Sequence, residues 1–306
     1  MLYPNNKFSP CPICNKEDIG FLLHTKDYSL TQESFQIIQC NHCNLKYTDP
    51  VPNKEEIGPY YNFTEYISHT DDNHGIINKM YHKVRNRTLT QKTNWVQSLF
   101  TGFKGRLLEV GAGTGAFANA MTKKGWEVTA LEPDAASRER ALKNYQLHIA
   151  PIDDLYTLNE HTYDVITLWH VLEHVHDLND YLRTFYKLLR PKGRLIIAVP
   201  NYTSFDAQYY KKYWAAYDVP RHLYHFSPDA MEFLSKKYKM QIVSIRPMWY
   251  DSFYVSLLSE RYKKTGIVGM LRAVIIGGIS NIIALKNHRK ASSIVYEIKK
   301  LETNQF

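Results

Sequence analysis

Three groups of residues in this chain have types and spacings that can do chemistry. The first is Cys11-Pro-Ile-Cys14 and Cys40-Asn-His-Cys43, two Cys-x-x-Cys turns with 25 residues between Cys14 and Cys40. Each turn aims two thiolates at one ion, and two turns close a tetrahedron around zinc. Four thiolates leave no position for a substrate, so such a zinc folds a small module and takes no part in chemistry. His42 lies inside the second turn and is expected to be an exposed loop residue, not a ligand.

The second group is Gly111-Ala-Gly-Thr-Gly115, with Glu109 just before it and Glu132 further on. Gly111 and Gly113 permit a tight turn and the close approach of a ligand to the backbone. Glu132 is placed to accept hydrogen bonds from ribose hydroxyls, with a solvated strand end as the plain alternative. The loop also fits a dinucleotide pattern. Glu109 tells against a pyrophosphate, which it would repel, and favours a cationic sulfonium and amino acid. The third group is His170, His174, His222 and His225, with Arg221 among them. Histidine titrates near neutrality and serves as a base for an alcohol or phenol. Arg221 would hold a carboxylate or phosphate, or a neighbouring Asp.

Strands and helices must position these groups. Residues 1–50 read as a zinc ribbon and 51–104 as a helical linker or lid, with Ile76, Ile77, Met80 and Val84 at helical spacing. Strands are expected at Arg106–Val110, Val128–Leu131, Tyr163–Trp169, Arg194–Val199, Gln241–Arg246 and Ser293–Ile298. Helices are expected between them, one ended by Pro191-Lys192-Gly193 and another capped by Ser227-Pro228. Alternating strands and helices mean an α/β fold with a parallel, doubly wound sheet. The ~40-residue stretch at about 247–291 is longer than an ordinary connection and reads as a helical cap insertion.

Leu108-Glu-Val-Gly-Ala-Gly-Thr-Gly115, Glu132, Leu168–Val175 and Leu188–Val199 together resemble the motifs of class I S-adenosylmethionine-dependent methyltransferases. The resemblance covers about residues 55–300, so the methyltransferase domain would be 105–306. It implies a Rossmann-like, seven-stranded sheet whose last strand, Ser293–Ile298, is antiparallel and inserted between the fifth and sixth. It implies S-adenosylmethionine held by Glu109, Gly111, Gly113, Gly115 and Glu132, with Asp153 in the adenine-contacting segment after the third strand. Glu173-His174 resembles the motif after the fourth strand in ubiquinone-pathway and sugar methyltransferases, making His174 the expected base; its alternative is to brace that turn. His222 and His225 are the other catalytic candidates. Tyr60 and Tyr61 would cover the methionine end of the cofactor or fill the core.

With 306 residues, 44% hydrophobic and 22% charged, the chain is globular and not disordered. A mean hydropathy of −0.41 excludes a polytopic membrane protein. The N-terminus lacks the apolar region of a secretory signal, so a cytoplasmic location is expected. Residues 260–306 hold nine Lys/Arg against three Glu, which is +6 of the net +8. The rest is nearly neutral, so nucleic acid is not an expected partner. No Asn/Asp-Pro-Pro-Tyr/Phe follows the fourth strand, which tells against amino-group methylation of nucleobases, and all cysteines belong to the ribbon, leaving no Pro-Cys nucleophile for cytosine C5 chemistry. The expected acceptor is a small molecule: a sugar, a glycan precursor or a quinone-like phenol, anionic or lipid-linked. An RNA methyltransferase using the ribbon and basic tail is one competing reading, and a non-catalytic cofactor-binding module is another. Residues 267–285 form an apolar run with only Arg272 charged. It reads as a core or cap helix pair, or as a basic-flanked interfacial helix giving peripheral membrane contact through 260–290.

Overall fold

The computed structural model describes residues 8–61, 76–100, 102 and 104–301, with 76–83 described by backbone alone. Three antiparallel strands come first: β1 (Ile19–Lys26), β2 (Ser34–Cys40) and β3 (Lys46–Asp49). Helix α1 (Ile76–Ser98) follows. Ile76, Ile77 and Met80 lie outside the described side chains. The alternating part runs β4 (Arg106–Val110), α2 (Ala116–Lys123), β5 (Glu127–Leu131), α3 (Ala135–Tyr145), β6 (Tyr163–Trp169), α4 (Leu178–Leu188) and β7 (Leu189–Pro200). Then come α5 (Phe205–Tyr210), β8 (Tyr224–His225), α6 (Pro228–Lys237), β9 (Met240–Pro247), α7 (Asp251–Tyr262), α8 (Gly266–Lys286) and β10 (Ser293–Lys300).

The larger sheet has the order β5-β4-β6-β7-β10-β9. Strand β4 is parallel to both its neighbours, and the last strand is antiparallel. The position of β10 between β7 and β9 is the insertion that the resemblance implies. The sheet has six strands, however, and not seven. The expected third strand shrinks to one bridge between Leu131 and Ala150. Pro151 follows at once, offers no N–H and leads into the 3-10 turn Ile152–Thr157, so the ladder stops.

A second difference lies at the start of β7. The helix ends at Leu188 and the strand already begins at Leu189, so Arg190-Pro-Lys-Gly193 is strand and not a stop. Arg190 Nη1 reaches both Asp164 oxygens at 2.9 and 2.8 Å, which ties this end of β7 to β6. Pro191 is exposed near the first residue of the strand, where a missing donor is tolerated. The helix starts follow the expected chemistry. The Asp134 carboxylate accepts the Ser137 N–H at 2.8 Å to cap α3, and Ser227 caps α6 ahead of Pro228.

The chain divides into two compact units. One holds the described residues up to 61 with 172–181 and 198–296; the other holds the described residues from 76 to 171, with 182–197 and 297–301. Within the first unit β8 pairs with β3 through Lys46–His225 and Tyr47–Tyr224. A three-stranded ribbon leaves an open edge; residues far along the chain close it. Phe35, Ile37, Trp214, Tyr217 and Val219 form a core beneath that sheet. In the other unit Leu107, Leu108, Val165 and Ile166 are fully buried on β4 and β6. Such continuous apolar runs suit a parallel sheet covered on both faces.

Candidate functional site

Strand β4 leads from Glu109 and Val110 straight into the glycine loop. Gly111, Gly113 and Gly115 all have positive φ, at 71°, 53° and 78°, a region that strains other L-residues. A Cβ on Gly111 would sit 2.4 Å from Val171 Cγ2, and one on Gly115 would press on Leu147, Ala141 and Ile149. A Cβ on Gly113 would meet nothing within 4 Å. Gly111 and Gly115 thus allow the loop to pack, while Gly113 exposes open backbone. Glu132, buried at the end of β5, accepts the Gly113 N–H at 2.7 Å with one oxygen and the Asp134 N–H at 3.0 Å with the other. Each carboxylate oxygen retains a second lone pair, enough for two hydroxyls.

Glu109 is 3% exposed, and its Oε2 has no hydrogen-bond partner among the described residues. Burial pushes its carboxyl up to about 8, against the pull of Lys92 and the Ala118 amide. Trp169, the last residue of β6, also has a buried, unpartnered polar atom, its Nε1. Its ring meets Phe117 edge-on, and Lys92 Nζ lies 4.4 Å above it. Arg85 gives a 3.4 Å hydrogen bond to Thr114 Oγ1. Orphaned buried polar atoms are costly, and here they collect beside open backbone. The residues fit S-adenosylmethionine: an acid for its cationic end, a glycine with open space where a side chain would be, and an acid with capacity for hydroxyls. Asp153 is exposed at the start of the 3-10 turn after the Ala150 bridge.

The histidine cluster belongs to the other unit. Leu172–His174 form one 3-10 turn. His174 Nδ1 lies 3.1 Å from the Arg221 carbonyl and 3.1 Å from the Tyr61 hydroxyl. A carbonyl only accepts, so Nδ1 carries the proton and Nε2 the lone pair. His222 repeats the arrangement, donating from Nδ1 to the Ala216 carbonyl at 2.8 Å. Glu173, His174 and His222 offer ligand atoms within 4.8 Å of one another, a set that can take up a proton or hold a divalent cation. Burial, then His222, brings His174 down to about 4, while Glu173 and Asp218 work upward.

His225 is placed differently. It is a buried strand residue of the ribbon sheet, with Nε2 3.2 Å from Thr48 Oγ1 and its ring edge-on to Tyr217. Burial lowers it well below the ordinary value. Of the two roles open to it, Arg221 takes the second and holds a neighbouring Asp. It is 1% exposed and donates to Asp218 (3.0 and 2.7 Å), Asp27 (2.8 and 3.3 Å), the Tyr60 carbonyl and Ser29 Oγ. Asp27 also collects the amides of Ser29, Leu30 and Thr31. The Tyr60 hydroxyl bonds Glu33 at 2.5 Å, whereas the Tyr61 hydroxyl lies against His174.

The four cysteines converge as their spacing requires. Cys11–Cys43 and Cys14–Cys40 are each 3.5 Å apart, and all four sulfurs lie within 4.8 Å of one another. A tetrahedron with Zn–S bonds of about 2.3 Å has edges of about 3.8 Å, so the set fits one structural zinc. Each turn closes on an asparagine in the left-handed region, Asn15 at φ 56° and Asn44 at φ 58°, whose N–H returns to the first cysteine's carbonyl. His42 is exposed, as expected.

A family model described as "Methyltransferase domain" matches residues 79–245, more than half of the chain. The chain belongs to this methyltransferase-domain family. A ubiquinone biosynthesis O-methyltransferase of Bordetella avium is 30% identical over 122 residues, 36% of this chain and 49% of that protein. The Caulobacter protein of the same name is 33% identical over 111 residues, 34% of this chain and 44% of that one. The chain thus spans about half the length of the curated relatives it matches. Among solved structures, the magnesium protoporphyrin IX methyltransferase of Synechocystis aligns with a TM-score of 0.53 at 13% identity, over 81% of this chain and 100% of that one. The [4+2]-cyclase SpnF aligns at 0.50 and 14%, over 82% and 98%. At these identities the likeness is one of fold, and the cyclase shows that the fold alone does not settle the reaction.

Proposed function

We propose that this chain is an S-adenosylmethionine-dependent methyltransferase acting on a small hydroxylated molecule, with a sugar, glycan precursor or quinone-like phenol as the acceptor class. The observation that carries the reading is buried Glu109, with an unpartnered oxygen, two residues ahead of a glycine loop in which the Gly113 N–H is held by Glu132 and the space at its Cβ is empty. When bound, S-adenosylmethionine supplies an electrophilic methyl group on a sulfonium. Glu109 would meet the cationic end, Gly113 would let the ligand approach the backbone and Glu132 would accept the ribose hydroxyls. His174 would take the acceptor's hydroxyl proton on Nε2, with Nδ1 fixed by the Arg221 carbonyl. Glu173 and Asp218 would favour the imidazolium as it forms. The names of the Bordetella and Caulobacter relatives support a phenolic acceptor. His225 would serve the ribbon sheet and not the reaction, and the enzyme would work in the cytoplasm. Untargeted mass spectrometry of wild-type and deletion extracts tests the reading. A metabolite should be lighter by about 14 Da, one methylene, in the deletion; no such pair would contradict it.

A further inference from the structure

Helix α8 turns mainly small residues inward and most of its large apolar residues outward. Gly269, Ala273, Ile276, Gly277, Ser280 and Ala284 are buried. A Cβ on Gly277 would lie 3.0 Å from the Phe253 Cα, so α8 lies close along α7. Ser280 Oγ donates to Asp206 at 2.7 Å and Asn281 Nδ2 to the Trp249 carbonyl at 2.8 Å. On the other side nine large apolar residues are exposed, among them Ile267 (79%), Leu271 (66%), Ile275 (60%) and Leu285 (66%). At ~100° per residue they fall on one continuous face. Soluble monomers rarely leave a patch of this kind bare.

Charge indicates what covers it. No acidic residue occurs between Arg261 and Tyr296. Lys263 and Lys264 precede the helix, and Lys286 and Lys290 lie at and beyond its end. The charge near the middle, Arg272, is paired with Glu260 at 2.6 Å. The face is therefore apolar along its length and cationic at both ends. A second copy laid on it in either orientation would set cation against cation. An anionic bilayer suits both features, with hydrocarbon for the face and lipid phosphate for its ends. The helix is 21 residues long with a hydropathy of 1.9, enough by length and composition to cross a membrane. Its inner side is tied to Asp206 and Trp249, which fits a helix lying along an interface and not through it.

We propose that the exposed face of α8 is a docking surface for an anionic lipid bilayer, on which this helix lies in the plane of the headgroups.

The test is sedimentation of the full chain with phosphatidylglycerol-containing vesicles and with phosphatidylcholine vesicles, at low and high salt. The wild-type chain should sediment with the anionic vesicles at low salt, and less as salt screens the lysines. Replacing Lys263, Lys264, Lys286 and Lys290 by Gln should weaken binding at least ~10-fold. Leu271→Glu with Ile275→Glu should do the same while leaving circular dichroism and Tm unchanged, since both residues are exposed. A chain that stays in the supernatant at every salt concentration would overturn the proposal. So would equal binding by the glutamate variant, or a solution dimer that this variant splits.

Discussion

The rings of His174 and His222 meet edge to face with their centroids 4.5 Å apart. Each gives its Nδ1–H to a backbone carbonyl, so each keeps Nε2 as its basic atom. After burial, the nearby His222 is the next cause that keeps His174 from taking a proton. A base held near 4 is unprotonated at neutral pH, which keeps it ready but limits its driving force.

His174→Ala should lower turnover by ~10²–10⁴-fold and leave cofactor affinity nearly unchanged. In the wild type the acidic limb of kcat against pH should fall near 4, and not near the ordinary imidazole value of 6.5. Stability follows the same groups. His174 and His225 are neutral in the fold and protonate on unfolding, so their contribution is whole above 6.5 and is lost as pH falls from there. Urea midpoints between pH 7 and pH 4 check this, and His225→Gln should flatten the slope.

Glu109 links cofactor binding to pH. Its carboxyl is largely protonated below about 8 because it is buried. A cationic ligand favours the carboxylate, so binding at pH 7 should release a proton, and affinity should rise with pH toward 8. Calorimetry in two buffers of unlike ionisation enthalpy measures the release, which Glu109→Gln should remove. Without ligand the sign is reversed: the raised pKa stabilises the fold below 4.5, and that contribution is lost as pH climbs to about 8.

The glycine loop, the acids around it and the strands that carry them were legible in the sequence because they depend on local chemistry: positive φ, buried apolar strands and an acid at a strand end; the strand order came only as an implication of the resemblance. The cysteine turns were legible for the same reason, and Asn15 and Asn44, each one residue after a Cys-x-x-Cys, carry a signal the spacing rule does not use. What was not legible is long-range. Nothing in Tyr224-His225 says that it will pair with Lys46-Tyr47. Lys92 is one of many lysines on a polar helix until Trp169 is set beside it. Arg221 carried its two alternatives unresolved, because Asp27 is 194 residues away. The lost third strand turns on a single residue, Pro151.

Arg221 with Asp27 and Asp218 should behave as one structural element. Burial works to raise both carboxyls, but Arg221 overrides it and holds them below the ordinary value of 3.8. Their contribution is present above that value and lost as pH falls through the lowered one. Arg221→Ala leaves buried Asp27 and half-buried Asp218 without their cation and should cost about 3–5 kcal/mol of unfolding free energy. Asp27→Asn should cost less because its backbone donors keep an acceptor. Chemical denaturation at pH 7 measures both.

One zinc per chain should be found by elemental analysis of freshly purified, reduced protein. Cys40→Ser should lose it and lower Tm, because Cys40 ends β2 at the centre of the ribbon sheet. A metal-free preparation with unchanged Tm would contradict the assignment.

The central claim is that Glu109, Gly113 and Glu132 hold S-adenosylmethionine, and calorimetric titration with S-adenosylhomocysteine tests it most directly. The account predicts saturable binding by the wild-type chain, tighter than binding of NAD. Glu132→Ala should weaken it by ~10–100-fold, the effect of losing charge-assisted hydrogen bonds of ~1–3 kcal/mol. No heat with S-adenosylhomocysteine, tighter binding of NAD, or an unaffected Glu132→Ala would contradict the account.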